Sequence, residues 1–486
     1  MAERRIHLSC WAVVLFLVLS GPASSQDTVW TRRFDSGRDD YGSYGGIDPD
    51  SNVIVAGPTF DDTSGWQTDI TLVKFSPQGD TLWTRTYDGG ARYSFGSAAV
   101  DARGNVVVVG RISPASAVVN KYNSFGSLLW TRQLYLGWHT RFYAVTTDDS
   151  LNIYVSGWYT TQSLIDEVIL VKYSPDGDSL WIKTLDFGGD DEGISMLRMT
   201  PDGSHLVGTG NTGDGRPWTL DFLTVKLTLG GDTVWTRRLD VKAEDWGTAV
   251  ACDTAGNIYV TGAAWSLTLP PVVPDSCVTF KYSPDGEMLW LRVYGEPGAD
   301  WTNGYGITVD PDGNPLVCAQ PYDTSLHTGF ILLMNYSPSG ETNWTRRYQP
   351  DMSSGASDVY FVSPEIAYVI GGCYNGNTND ILVMKLRYGS GIEEPEEVGS
   401  PGPRAEAVGA TVLRRGETLR LSVEVAGDYR VSFCDAAGRR VRLFHSGRLE
   451  PGEHAFSVAG VPAGIYFCRI ESGPSRVSRK VVLAGR

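Results

Sequence analysis

Few residues in this chain have the type and spacing that covalent chemistry requires, and those few are scattered. Six histidines stand at His7, His139, His205, His327, His445 and His454, with no HExxH pair or other ligand spacing among them. Of seven cysteines, Cys10 precedes most of an N-terminal apolar run, and Cys252, Cys277, Cys318, Cys373, Cys434 and Cys468 contain no CxxC. Zinc is therefore not expected. No GxSxG elbow, phosphate loop or dinucleotide fingerprint stands where it should. No cofactor, no metal and no catalytic residue is assigned. The paired carboxylates of Asp190-Asp-Glu192 suit glycoside hydrolysis in principle, although a charge run in a surface loop is ordinarily solvated.

A second grouping mixes rings with acids: Asp40, Tyr41, Tyr93, Trp138, His139, Asp191, Trp246 and Trp301. Aromatic faces beside carboxylates suit stacking of a sugar or capture of a peptide. These eight are the candidate ligand-binding residues, joined by Trp66, Trp158, Trp218 and Trp265. The plain alternative is that the rings pack loops onto the scaffold beneath them.

What positions them is a repeat. Trp30, Trp83, Trp130, Trp181, Trp235, Trp290 and Trp344 recur at intervals of 47 to 55 residues, most within a Leu-Trp-Thr-Arg type of segment. A period near fifty with several short strands signals a propeller. Between Gly96 and Leu134 the chain reads as four strands, A to D, separated by Asp101-Ala-Arg-Gly104, Gly110 and Asn123-Ser-Phe-Gly126. Turn residues between β-branched runs make one antiparallel blade. Trp30-Thr-Arg-Arg-Phe34 is a D strand with no A, B or C before it, and Asp380 to Leu386 is a C strand with no D after it. Each end supplies what the other lacks, so seven blades close into a ring without a free edge. The D–A loops then carry Tyr41, Tyr93, Trp138, Asp191, Trp246 and Trp301 on one face, together with the B–C loops.

Repetition also separates scaffold from site. Asp48, Asp101, Asp148, Asp253 and Asp310, with Thr200 and Ser363, recur in the turn after strand A. Lys74, Lys121, Lys172, Lys226, Lys281 and Lys385 recur in strand C, with Asn335 as the exception. A residue needed in every blade serves the blade, and the repeated tryptophans are likewise expected in the core.

Residues 1–25 read as a secretory signal peptide: Arg4 and Arg5, an apolar run from Trp11 to Leu19, then Ala23-Ser-Ser25. Residues 26–388 are the propeller and 389–408 an acidic Gly/Pro linker. Residues 409–486 are a small immunoglobulin-like sandwich, with about seven short antiparallel strands between turns such as Pro451-Gly452 and Pro462-Ala-Gly464. The fold class is all-β. No other apolar stretch is long enough to span a bilayer, so the mature chain has no expected transmembrane segment. Export permits disulfides; Cys252 with Cys277 and Cys434 with Cys468 are the candidate pairs, and buried free thiols the alternative. The net charge is −15, while residues from 409 onward hold 13 basic against 7 acidic side chains. The propeller is thus acidic, which argues against a nucleic-acid partner.

The blade consensus, carried by Asp253-Thr-Ala-Gly-Asn-Ile-Tyr-Val-Thr-Gly262 and its copies, resembles the bacterial SBBP β-propeller repeat of secreted proteins over residues 27–387. That resemblance implies fold more than function. Ser174-Pro-Asp-Gly-Asp-Ser-Leu-Trp181 is similar to the Asp-box of sialidases and to the tryptophan-docking motif of quinoproteins. The first lacks its glycine at the required place, and the second has no accompanying calcium ligands or adjacent cysteine pair. The C-terminal domain resembles the type A sorting domain of type IX secretion substrates, on Asp435-Ala-Ala-Gly-Arg-Arg-Val441, Pro451-Gly452, Pro462-Ala-Gly-Ile-Tyr466 and Lys480-Val-Val-Leu483. It lacks a Pro-Asn-Pro-like entry. The resemblance implies that Pro462, Gly464, Tyr466, Lys480 and Leu483 carry a sorting signal. It also implies a secretion translocon as partner, and delivery to the medium or the outer-membrane surface of a diderm bacterium.

The expectation is an exported monomer acting as a binding or interaction module, with a glycan or peptide ligand. A secreted hydrolase or lyase with its site on the D–A face is one alternative, and a structural surface-layer component another.

Overall fold

The computed structural model describes residues 28–60, 68–87, 93–112, 115–189, 191–213, 219–265 and 275–387. Beyond these it describes 405–406, 412–414, 418–423, 427–434, 440–450, 452–462, 464–472 and 475–484. The expected signal peptide, Trp66 and Trp218 lie outside them. The chain divides into two compact units, residues 1–390 and 391–486.

The first unit is a seven-bladed β-propeller. Six blades are antiparallel sheets whose strands follow chain order, as in Thr140–Thr147, Ile153–Thr160, Asp166–Tyr173 and Ser179–Leu185. A single parallel pairing of Asp166 with Asp191 links the third and fourth blades. Valine, isoleucine and leucine of the B and C strands face neighbouring blades and are fully buried, for example Val107, Val119, Val155 and Ile169 in one shared core. A blade exposes both faces until its neighbours cover them, so the ring stabilises itself by stacking.

Closure is made by strands from opposite ends of the chain. Thr28–Phe34 pairs antiparallel with Asn379–Arg387, setting Trp30 opposite Lys385. The seventh blade therefore has its D strand from the N-terminal side and its A to C strands from residues 353–387.

Between strands A and B, each repeated aspartate closes an Asx turn. Asp48 accepts hydrogen bonds from the Asp50 and Asn52 amides, both 2.9 Å, and from the Asn52 side chain. Lys74 reaches the same carboxylate at 2.7 Å. Burial would raise the Asp48 carboxyl, but the bonds from Asn52 and Lys74 outweigh it and hold it below its ordinary value. The pair recurs as Lys121 with Asp101 (3.5 Å), Lys281 with Asp253 (3.7 Å) and, loosely, Lys172 with Asp148 (4.0 Å). These charges hold turns within blades, as their repetition implied.

The tryptophans correct an expectation. Trp30 and Trp290 are buried, but Trp83, Trp130, Trp181, Trp235 and Trp344 are half-buried on the outermost strand. They dock one blade on the next. Trp130 Nε1 donates to the Pro175 carbonyl of the following blade (3.1 Å), and Lys121 Nζ donates to the same oxygen (3.2 Å). Arg132 Nε donates to the Gly177 carbonyl (2.8 Å), its guanidinium 5.3 Å from the Trp130 ring centroid. Gly177 has φ +85°, and a Cβ there would stand 2.9 Å from the Trp130 ring. The same docking joins Trp30 to Pro77, Trp235 to Pro284 and Trp290 to Pro338. The tryptophan sits outside because its job is to cover the turn of the next blade, and that turn lies at the rim.

The second unit has two sheets. One contains Ala405–Glu406, Thr418–Val423 and Gly452–Ser457; the other runs Val412–Arg414, Ser475–Ala484, Gly464–Ser472, Gly427–Cys434, Arg440–Leu449. Leu419 of the first sheet shares a core with Tyr429, Val431, Phe433 and Tyr466 of the second. Two details differ from the sequence reading. Ala405–Glu406, placed in the linker by composition, pairs with Val423 and Ser422. Val412–Arg414 pairs parallel with Ser475–Ala484, which the long intervening chain makes possible. Cys252 and Cys277 are free thiols, so that candidate disulfide does not form; the Cys434 side chain, and with it the second candidate pair, lies outside the described residues. No helix among the described residues is long and apolar enough to cross a membrane.

Candidate functional site

The D–A and B–C loops share one face of the ring. Trp246, at the start of an A strand, stacks on Trp265 at the end of the adjoining B strand, 6.1 Å between centroids. Trp301 stacks in the same way on Tyr322 at 4.9 Å. Trp265 Nε1 donates to Asn303 of the next blade (3.3 Å), so one platform spans two blades.

The expected site residues fall into four groups. Trp138 is 58 % exposed, Trp246 is 38 % exposed, and His139, Asp191 and Tyr41 are also open to solvent. Tyr41 is anchored by an edge contact with Phe60 and by a bond from Asn379 to its hydroxyl (2.9 Å). Trp301 is half-buried, with one ring face covered by Tyr322. Tyr93 begins a strand opposite Ile112, and its side chain lies outside the described residues, as does Asp190.

Asp40 is a correction. It is fully buried, and its carboxylate accepts from the Ser36 amide (2.7 Å), the Ser36 hydroxyl and the Thr59 hydroxyl (2.6 Å). Its equivalents in other blades latch their own loops. Glu192 accepts from the Phe187 and Gly189 amides, and Asp245 from Val241 and Lys242. Asp40, Glu192 and Asp245 therefore serve loop geometry, because a loop turning over a blade leaves amide donors that need acceptors. Asp245 lies near Asp221 and Asp240. Burial, with those two charges, pushes its carboxyl up to about 7 despite the amide bonds. It is closed to solvent, so no reacting group can reach it.

Inward of the loops, the blades are in register at one level. Strand A pairs with strand B as Ser94 with Arg111, Arg141 with Trp158, Gly193 with Asn211, Trp246 with Ala263, Asn303 with Gln320 and Gly355 with Gly372. In the first blade Tyr41 bonds Pro58 through the backbone. The scaffold below this level repeats; here every pair differs. Sequence reasoning found Tyr41, Trp158 and Trp246 and missed Arg111, Arg141, Asn211 and Gln320. The signal that could have found them is alignment of the copies on the B-strand glycines Gly110, Gly157, Gly210 and Gly262.

Deeper in the ring, side chains from four blades converge. Arg198 of the fourth blade reaches Asp358 of the seventh at 3.7 Å. The Tyr360 hydroxyl contacts the same carboxylate and bonds the Gly45 carbonyl at 2.8 Å. Tyr44, Tyr305 and Cys318 lie close by, and burial raises the Tyr44 hydroxyl to about 12. Burial also raises the Asp358 carboxyl, against the pull of Arg198. Tyr44 packs on the core shared by the fourth and fifth blades and stacks on Phe95 at 6.2 Å. Sequence reasoning did not find this cluster, because no motif brings residues 44, 198, 305 and 358 together.

No protein-family model matches the chain. It is similar to an uncharacterized WD repeat-containing protein of Acanthamoeba polyphaga mimivirus, 20 % identical over 71 % of this chain. The chain spans about a third of that relative's length (34 %). Among solved structures it is similar to Sqt1 from Chaetomium thermophilum, with TM-score 0.43 and 13 % identity, covering 71 % of this chain and 82 % of that one. It is also similar to a protein of unknown function from Dyadobacter fermentans, with TM-score 0.42 and 7 % identity, covering 74 % and 98 %. A puromycin hydrolase mutant complexed with PGG gives TM-score 0.45 and 16 % identity, covering 80 % and 60 %. The propeller assignment rests on the blades themselves.

Proposed function

We propose that the protein is an exported binding module whose ligand, a glycan or a peptide, sits on the D–A face of the propeller. The observation that carries this reading is the contrast between a repeating scaffold and one non-repeating level bearing exposed rings. Trp246 of that level stacks on Trp265, and Trp138 is exposed in its own loop. Asp40, Glu192 and Asp245 are occupied as loop latches, which favours recognition over hydrolysis. A glycan and peptide array probed with the purified protein tests the reading. Selective binding lost on alanine substitution at Trp138 and Trp246 is expected; a protein that binds nothing on either array would refute it.

Delivery to the cell surface or medium through a type IX translocon belongs to the same proposal, as does assignment of the blades to the SBBP repeat type. Support comes from the C-terminal unit. Tyr466 donates its hydroxyl to the Pro462 carbonyl (3.1 Å) and stacks on Phe433 at 5.6 Å, so these two residues are tied together while Pro462 stays exposed. Gly464 and Phe467 pair with Leu483 and Lys480, so two of the segments that carry the resemblance meet on one hairpin. Removing residues from 409 onward should strand a folded propeller in the periplasm. Unchanged delivery of the truncated chain would sink the sorting assignment.

A further inference from the structure

The non-repeating level holds two cations and no acid. Arg111 and Arg141 stand at one level of adjacent blades. The whole chain is acidic, at −15, so neighbouring arginines at this level run against the general charge. The Arg141 guanidinium lies 4.3 Å from the Tyr143 ring centroid, and its Nε is buried without a hydrogen-bond partner. No carboxylate among the described residues forms a salt bridge with it. Burial, opposed by Tyr143 and assisted by Arg111, lowers its affinity for a proton. A guanidinium so placed favours an anion brought in from outside.

The surroundings define the rest of the ligand. Tyr143 and Trp158 are 6.4 Å apart and tilted by 37°. Trp158 leans over the next blade, against Gly193, where a side chain would meet its ring at 3.6 Å; the Asn211 amide oxygen stands beside the same glycine. Trp246 follows in the blade after that. Aromatic platforms thus alternate with an amide that both donates and accepts, a set suited to sugar faces and their hydroxyls.

We infer that this level takes a uronate-bearing oligosaccharide, with its carboxylate on Arg141 and its sugar faces on Trp158 and Trp246. In a hexuronate the carboxylate is attached directly to the sugar ring. A cation one side chain away from the stacking platform is the arrangement such a sugar needs, and Arg141 and Trp158 are cross-strand partners. The inference rests on the binding-module reading and narrows it to one ligand class.

The test is isothermal titration of the full mature chain with a short oligogalacturonate and, separately, with its neutral methyl ester. The acid form should bind at least about tenfold more tightly, and R141Q should erase that preference, a loss of about ten- to hundredfold for the acid alone. R141K should restore part of it, and W158A should weaken both forms. Equal binding of acid and ester by the unmodified protein overturns the uronate assignment and leaves the binding-module reading standing. So does an R141Q variant that melts normally and keeps the preference. Tight binding of a sulfated polysaccharide that R141Q leaves unchanged marks non-specific attraction and also overturns it. Failure to bind either sugar form, together with an empty array, overturns both readings at once.

Discussion

At the scale of single residues, the same acid is read differently according to what surrounds it. Asp245 accepts two amides yet keeps its proton to about pH 7, because burial and the nearby Asp240 and Asp221 outweigh those bonds. In the unfolded chain it releases that proton near its ordinary value of 3.8. Between these limits the folded state binds one proton more than the unfolded state. The stabilisation is therefore full below about pH 4 and is lost as pH rises through 7. A thermal melt series should show stability falling from pH 5 to pH 8, with a component on the order of a few kcal/mol that Asp245→Asn removes. An unchanged slope in that variant would show that the proton sits elsewhere. Among the aromatic residues, Trp138 should be replaceable by alanine with little effect on the melting midpoint, since it is exposed. Trp301→Ala should lower the midpoint, since Tyr322 covers its ring.

At the scale of the element, the blade-to-blade contact is a clamp made by three side chains on one turn. Trp130, Lys121 and Arg132 all bond carbonyls of the Pro175–Gly177 turn. Gly177→Ala brings a Cβ into the left-handed backbone region and against the indole, costing about 1–2 kcal/mol for the backbone alone. Trp130→Ala removes a half-buried ring and should cost roughly 2 kcal/mol or more. Because both substitutions act on one contact, the double variant should lose less than the sum in urea titration. Strict additivity would argue that the turn and the indole are independent. Within a blade, Asp48→Ala would leave Lys74 buried without its carboxylate, a loss of about 3–5 kcal/mol. The paired substitution with Lys74→Met should recover much of it.

At the scale of the whole molecule, the ring has one seam. The seventh blade takes its outer strand from the other end of the chain. Deleting residues 26–34 removes Trp30, its bond to Pro77 and the pairing with Asn379–Arg387. The truncated propeller should melt at a lower temperature, with the first gain in hydrogen exchange along Asn379–Arg387. Wild-type melting of the truncated chain would mean that the N-terminal strand does not close the ring.

The sequence alone determined the architecture: blade number, strand order, the Asx turns and the origin of the closing strand. These follow from local rules of turn chemistry, alternation and repetition, each of which needs only a few adjacent residues. It also marked Trp138, Trp246 and Tyr41 as surface features, because they break the repeat. Only the tertiary structure decided that Asp40 and Asp245 are spent on their own loops, since hydrogen-bond partners are not visible in a string of residue types. Likewise only the ring brings Arg198 to Asp358, and sets Arg111 and Arg141 at one level of adjacent blades. Those pairs lie in different blades, and their proximity depends on curvature and register summed around the whole circle, which no single segment encodes.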